Sequence, residues 1–146
     1  MMDFKAFKDL VEKIKKSHPI WFGIEADKIP DDTALTEAEE KLGVKLPTDY
    51  IDFIFEYGGG YFAFSNVYSL EMGSDWNLID VNYRYAGIRD SHLLISENGS
   101  GDFYGFKIVD GVCDPKICFY DHEIGKWHDS QHNNLFDYLE TSALTN

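Results

Sequence analysis

Three consecutive glycines, Gly58 to Gly60, directly follow the segment LPTDYIDFIFEY, and that order leaves the chain few ways to fold. Pro47 suits the first position of a helix, where its missing N–H costs nothing. Asp49 falls in the first turn, where the helix dipole favours a carboxylate. Tyr50, Phe53, Ile54 and Tyr57 line one face, and Ile51 and Phe55 widen it. Asp49, Asp52 and Glu56 form one narrow polar stripe, so the helix is expected to be largely buried. A phosphate-binding loop places its glycines ahead of a helix, at the positive end. Here they come after it, beside Glu56, and no Gly-Lys-Ser/Thr follows. The run therefore reads as a helix stop that turns the backbone into a strand, YFAFSNVYSL.

Helical patterns precede that point. Phe4, Phe7, Leu10, Val11 and Ile14 recur at helical spacing, with Lys5, Lys8, Lys13, Lys15 and Lys16 covering most of the remaining surface. Residues 18–31 read as a connector with buried aromatics. Asp32 is placed to cap a second helix running to about Leu42, and Thr36 with Glu39 offers a capping box one turn later. Gly43 suits the left-handed position past its end.

After Gly60 short apolar runs alternate with turn signals, as antiparallel strands do. HLLIS, DFYGFKIV, KICFY and KWH read as strands, separated by ENGSG, Asp110-Gly111 and DHEIG. DWNLIDVNYRYAGI reads as strand followed by short helix. Asn133 or Asn134 can cap a last helix with Leu135, Tyr138 and Leu139 facing inward. The expectation is a single α+β domain over residues 1–146. Two or three N-terminal helices and a C-terminal helix pack on an antiparallel sheet of about five or six strands.

Charge narrows the functional classes. Residues 1–20 hold five lysines and three acids, whereas the rest of the chain carries a net of −15. Such a field repels nucleic acid and anionic membranes and attracts a basic protein partner. The start of the chain lacks a continuous apolar stretch of the secretory type, and the two cysteines are too few for a disulfide framework. A soluble cytoplasmic protein with reduced thiols is the expectation.

Two segments resemble the SUKH superfamily. KLGVKLPTDYIDFIFEYGGG is similar to its signature of Leu-Gly, Leu-Pro, Asp-Tyr and an aromatic helix ending in paired glycines. LLISENGSGDFYGFKI is similar to its Gly-Asp strand pair, and ICFYDHEIGKWH with the apolar last helix resembles its closing strands. The resemblance covers about residues 30–142 and is carried by Leu42, Gly43, Leu46, Pro47, Asp49, Tyr50, Gly58, Gly59, Gly101 and Asp102. Where the superfamily often has Asn before the glycines, this chain has Tyr57. The resemblance implies an α+β protein-binding module without catalytic activity or cofactor. Its bacterial members are mostly immunity proteins that neutralise polymorphic or contact-dependent toxin domains. Its fungal members are cell-wall assembly regulators acting as interaction hubs with long disordered flanks, which are missing here.

Some residues also offer other chemistry. Cys113, Cys118 and His122, with His128 or His132, offer a zinc set, but ICFY reads as one strand and a compact Cys pair is missing. Asp121, His122, Glu123 and His128 flank one bend and offer an acid–base pair without a nameable nucleophile. Asn98 to Asp102 has too few alternating oxygen ligands for calcium. Aromatics beside acids point instead to partner binding: Asp75, Trp76, Asp80 and Tyr83 in one segment, and Asp121, Glu123 and Trp127 in another. The reading is a non-enzymatic immunity protein, a monomer or weak homodimer, binding a toxin domain for which a basic, nuclease-like surface is one form. A general adaptor is the alternative, and a small hydrolase or metal-dependent enzyme comes third.

Overall fold

The computed structural model describes residues 1–146. Helix α1 spans Phe4–Ser17 and starts at Asp3, whose carboxylate accepts a hydrogen bond from the Ala6 amide. Its buried stripe is Phe7 and Val11, with Phe4, Leu10 and Ile14 packed beside them. A 3-10 turn follows at Pro19–Phe22. Its aromatics, Trp21 and Phe22, are only half buried, less than the connector was expected to hide. Helix α2 spans Asp32–Leu42 and is capped by Asp31, one residue earlier than expected, because the Asp31 carboxylate is the one that reaches the Ala34 amide. Glu39 makes no capping box with Thr36; it accepts from the Leu46 amide and holds the loop that follows. Gly43 is left-handed at φ 67° as expected.

Helix α3, Thr48–Tyr57, starts just after Pro47 and buries Tyr50, Phe53 and Ile54. Phe53 meets Phe7, Tyr57 and Phe62 at centroid separations of 5.0–6.1 Å. Tyr50 donates its hydroxyl to the Tyr68 carbonyl at 2.7 Å. Asp49 departs from the polar stripe assigned to it. It is buried, and its carboxylate accepts from the amides of Tyr50 and of distant Leu135.

The glycine run is a crossing point as well as a helix stop. Gly58, Gly59 and Gly60 all have positive φ, at 84°, 95° and 75°. A Cβ on Gly58 would lie 2.0 Å from the carbonyl oxygen of Asp27, and one on Gly60 would lie 2.9 Å from the Asp27 carboxylate carbon. The connector passes directly over these residues, pinned by the Asp27 amide donating to Gly59 O at 2.8 Å. Ser69 and Ser74 hydroxyls donate to the same Asp27 carboxylate.

Beyond the glycines the chain does not form one strand. Strand β1, Gly60–Phe62, and β2, Ser65–Val67, pair as a hairpin through Ala63 at φ 49°. The segment DWNLIDVNYRYAGI holds two short helices, α4 (Leu78–Arg84) and α5 (Ala86–Arg89), rather than a strand and a helix. Asn77 caps α4, and buried Asn82 locks it to the sheet by bonding both the amide and the carbonyl of Leu94. That inward polar side chain breaks the apolar period that sequence reading relies on.

The main sheet holds β3 (His92–Glu97), β4 (Phe103–Val109), β5 (Val112–Asp121) and β6 (Lys126–Asp129), antiparallel in that order. The architecture is α+β as expected, with four strands here and two in the hairpin instead of one larger sheet. Helix α6, Leu135–Ser142, is capped by Asn134. On one sheet face Tyr104 meets Tyr138 of α6 and Phe106 meets Tyr50 of α3. On the other, Phe103 meets Tyr85, and the Trp127 indole N–H donates to the Ile88 carbonyl of α5. No helix is long and apolar enough to cross a membrane.

Candidate protein-interaction surface

Strand β3 ends at Glu97 and returns to β4 through the turn 98–102. Asn98 organises this turn, accepting from the Ser100 amide and donating to the Asp102 carboxylate at 2.8 Å. Asp102 then reaches across to the β5–β6 turn. Its carboxylate accepts from the His122 amide at 2.9 Å and pairs with the His122 ring. Gly101, at φ 98°, lies under that ring, and a Cβ there would come within 3.1 Å of it. The Gly-Asp pair is thus the staple between two turns. Hydrogen bonds from His122 hold the Asp102 carboxyl down at about 2, and the same pairing raises the His122 pKa.

Two clefts open on either side of this turn. One, of about 320 Å³, is walled by Tyr85, Ile88 and Phe103, with Glu97 and Asp102 at its rim. The other, of about 270 Å³, is walled by Phe64, Trp76, Tyr104 and Tyr138, again with Glu97. Trp76 stands beside Tyr61 and Tyr68, at ring separations of 5.1 and 6.3 Å. Phe64 is half exposed and also meets Trp21 of the 3-10 turn at 4.8 Å. The hairpin, the 3-10 turn and the loop before α4 therefore present one aromatic surface bordered by acids. Grouped exposed aromatics of this kind mark interaction sites.

The structure brings together some of the expected binding residues and separates others. Trp76, with exposed Asp75 next to it, flanks the 98–102 turn, and the Asp121 carboxylate lies within 4.8 Å of Asp102 in that turn. Glu123 is exposed on the β5–β6 turn, its amide bonded to the Asp121 carboxylate. Asp80 faces away, lining a different cleft with Glu37 and Lys41 of α2. Exposed Tyr83 points the same way and donates to the Lys41 carbonyl. Trp127 is half buried, stacked on His92 at 4.0 Å. Leu46, Tyr50, Gly58 and Gly59 are buried framework, and Pro47 flanks α3.

The zinc set offered by the sequence is dispersed, whereas Asp121 and His122 of the acid–base set come together. Cys113 is buried, and desolvation pushes its thiol up to about 12. Cys118 lies five residues along the same strand, its sulfur 4.0 Å from Asp129. The group of Asp102, Asp121 and His122 has ligand atoms within 4.8 Å of one another, and it includes neither cysteine, nor His128, nor His132.

Sequence reasoning missed Glu97, Tyr61, Phe64 and Tyr104. The inside–outside alternation of YFAF carried a signal for Tyr61, since its neighbour Phe62 is the buried partner. Glu97 looked like part of a turn, although it is the last residue of the strand.

The SUKH_6 family model, described as SMI1-KNR4 cell-wall, matches residues 32–139. No curated protein matches the sequence.

Proposed function

The chain belongs to the SMI1-KNR4 cell-wall family of the SUKH superfamily, and on that premise we propose that it is a non-catalytic protein-binding module. The finer reading is an immunity protein that binds a toxin domain and covers its active surface in the cytoplasm. The observation that carries the proposal is the aromatic wall of Phe64, Trp76 and Tyr104 beside Glu97, extended by Tyr61 against Trp76, on a chain of net charge −13. Aromatic anchors supply contact area, and the acidic field steers a basic partner toward them. An acidic inhibitor also excludes an anionic substrate such as nucleic acid from the site it covers.

The test is to read the genes that flank this one and, where one encodes a large secreted protein, to co-express this chain with that protein's C-terminal domain. A 1:1 complex by light scattering, with the toxin's activity suppressed in proportion to complex formed, supports immunity. The cell-wall description of the matched family favours one second reading, an adaptor, in which a partner binds but its activity is unaffected.

A further inference from the structure

Glu97 makes three hydrogen bonds, to Asn66 and Tyr68. Its amide donates to Asn66 Oδ1 and its carbonyl accepts from Asn66 Nδ2, at 3.0 and 2.9 Å. Its carboxylate accepts from the Tyr68 hydroxyl at 2.9 Å through one oxygen. Its strand neighbour Ser96 is tied to Asn66 and to Tyr138. The backbone at Glu97 and one of its carboxylate oxygens are therefore held before any partner arrives, and a pre-positioned first contact costs little ordering on binding.

It is also without a cation. The ion pairs of the chain join Lys5 to Asp9, Lys41 to Glu37 and His122 to Asp102, and none involves Glu97. The cleft beside it, of about 270 Å³, carries Phe64, Trp76 and Tyr104 in its walls. A carboxylate with a free oxygen among aromatic rings is the environment that suits a guanidinium. The planar group stacks on a ring face while its N–H groups pair with the carboxylate. An ammonium can satisfy the charge but not the stacking.

We propose that the cleft bounded by Phe64, Trp76 and Tyr104 is an arginine pocket, in which Glu97 receives a guanidinium side chain from the protein partner. This rests on the protein-binding reading and adds to it the anchor residue the partner must present. It also explains why the aromatic wall is left half exposed: the cation completes it.

The test uses the intact protein and the peptide acetyl-Gly-Arg-Gly-amide, with the citrulline peptide, its neutral near-isostere, as control. In a ¹⁵N NMR titration the arginine peptide is expected to give saturable shifts at Asn98, Gly99 and the Trp76 indole, and the citrulline peptide none. Glu97→Gln preserves an acceptor for Tyr68 and is expected to weaken peptide binding about 10-fold or more, as loss of a charged hydrogen-bond partner does. Phe64→Ala removes a wall on an exposed turn and is expected to weaken arginine more than a lysine peptide. Shifts that scatter over Asp80, Glu123 and other acids, or binding unchanged in Glu97→Gln, would overturn the pocket. If Glu97→Gln leaves affinity for a toxin domain intact, the pocket fails and the binding function stands; if no protein partner binds at all, the binding function fails whatever the peptide does.

Discussion

The carboxylate of Asp49, in the first turn of α3, accepts a hydrogen bond from the amide of Leu135, the first residue of α6, at 2.8 Å. The same side chain accepts from the Tyr50 amide at 2.7 Å. One buried acid thus satisfies N–H groups at the starts of two helices that are 86 residues apart in sequence. Both helix dipoles favour a negative charge there. Burial is nevertheless the largest influence and raises the Asp49 pKa.

Asp49→Ala is expected to cost about 1–3 kcal/mol for each N–H left without a partner. Denaturant unfolding measures it. The pH dependence has a definite sign. Because the folded-state pKa is raised, the folded protein binds the proton more tightly than the unfolded chain, so this group's contribution is fully present below about 4 and falls as pH rises through the folded value. The stability gap between wild type and Asp49→Asn is expected to shrink from pH 4 to pH 7. A gap that widens over that range would show that the carboxylate is favoured by its surroundings.

Gly58→Ala is expected to destabilise by about 2–5 kcal/mol, combining left-handed strain with overpacking. The new methyl would sit 2.0 Å from the Asp27 carbonyl oxygen. Gly43→Ala supplies the comparison, since its φ is also positive but nothing lies within 4 Å of its Cβ. Thermal unfolding should therefore show a much larger loss at Gly58 than at Gly43.

His122 is expected to titrate above 6.5 in the wild type, and Asp102→Asn should return it toward 6.5, followed by NMR of the imidazole protons. The pairing has two edges. The raised His122 contributes below its ordinary value and is lost as pH rises through the folded one. The depressed Asp102 contributes above its ordinary value and is lost as pH falls through about 2. The two turns should be most firmly joined between about pH 4 and 6.5.

Phe53→Ala, in the middle of the aromatic cluster of α3, is expected to cost about 3–5 kcal/mol. Folded Phe53→Ala should still bind a partner, because Phe53 is fully buried and lines neither of the clefts beside Glu97. Lost binding with an unchanged melting temperature would place α3 in the interface instead.

Helix α3, the helix stop at the glycine run and the four strand segments β3 to β6 are legible in the sequence because each depends on short-range chemistry: apolar period, helix polarity and turn residues. The local pattern groups Asp49 with the polar stripe of Asp52 and Glu56, because its partner, Leu135, belongs to a distant segment that no local pattern announces. The crossing of Asp27 over Gly58 is likewise a long-range fact. Helices α4 and α5 were obscured by Asn82, a polar residue turned inward to bind Leu94. For the interaction surface, composition pointed to Trp76 and Asp121 but could not show that both flank one turn, nor that Glu97 stands between two clefts.

The protein-binding account is tested most directly by the association rate of this protein with a candidate toxin domain from a flanking gene, followed by stopped-flow fluorescence across a range of salt concentrations. The account predicts a 1:1 complex that suppresses the toxin, with an association rate that falls about 10-fold or more as salt rises, because an acidic field steers the encounter. Charge reversal at Asp75, beside Trp76, should slow association without unfolding the protein. A salt-independent rate unaffected by that reversal would contradict the electrostatic mechanism. Absence of any complex, together with turnover of a small substrate that His122→Ala abolishes, would contradict the account as a whole.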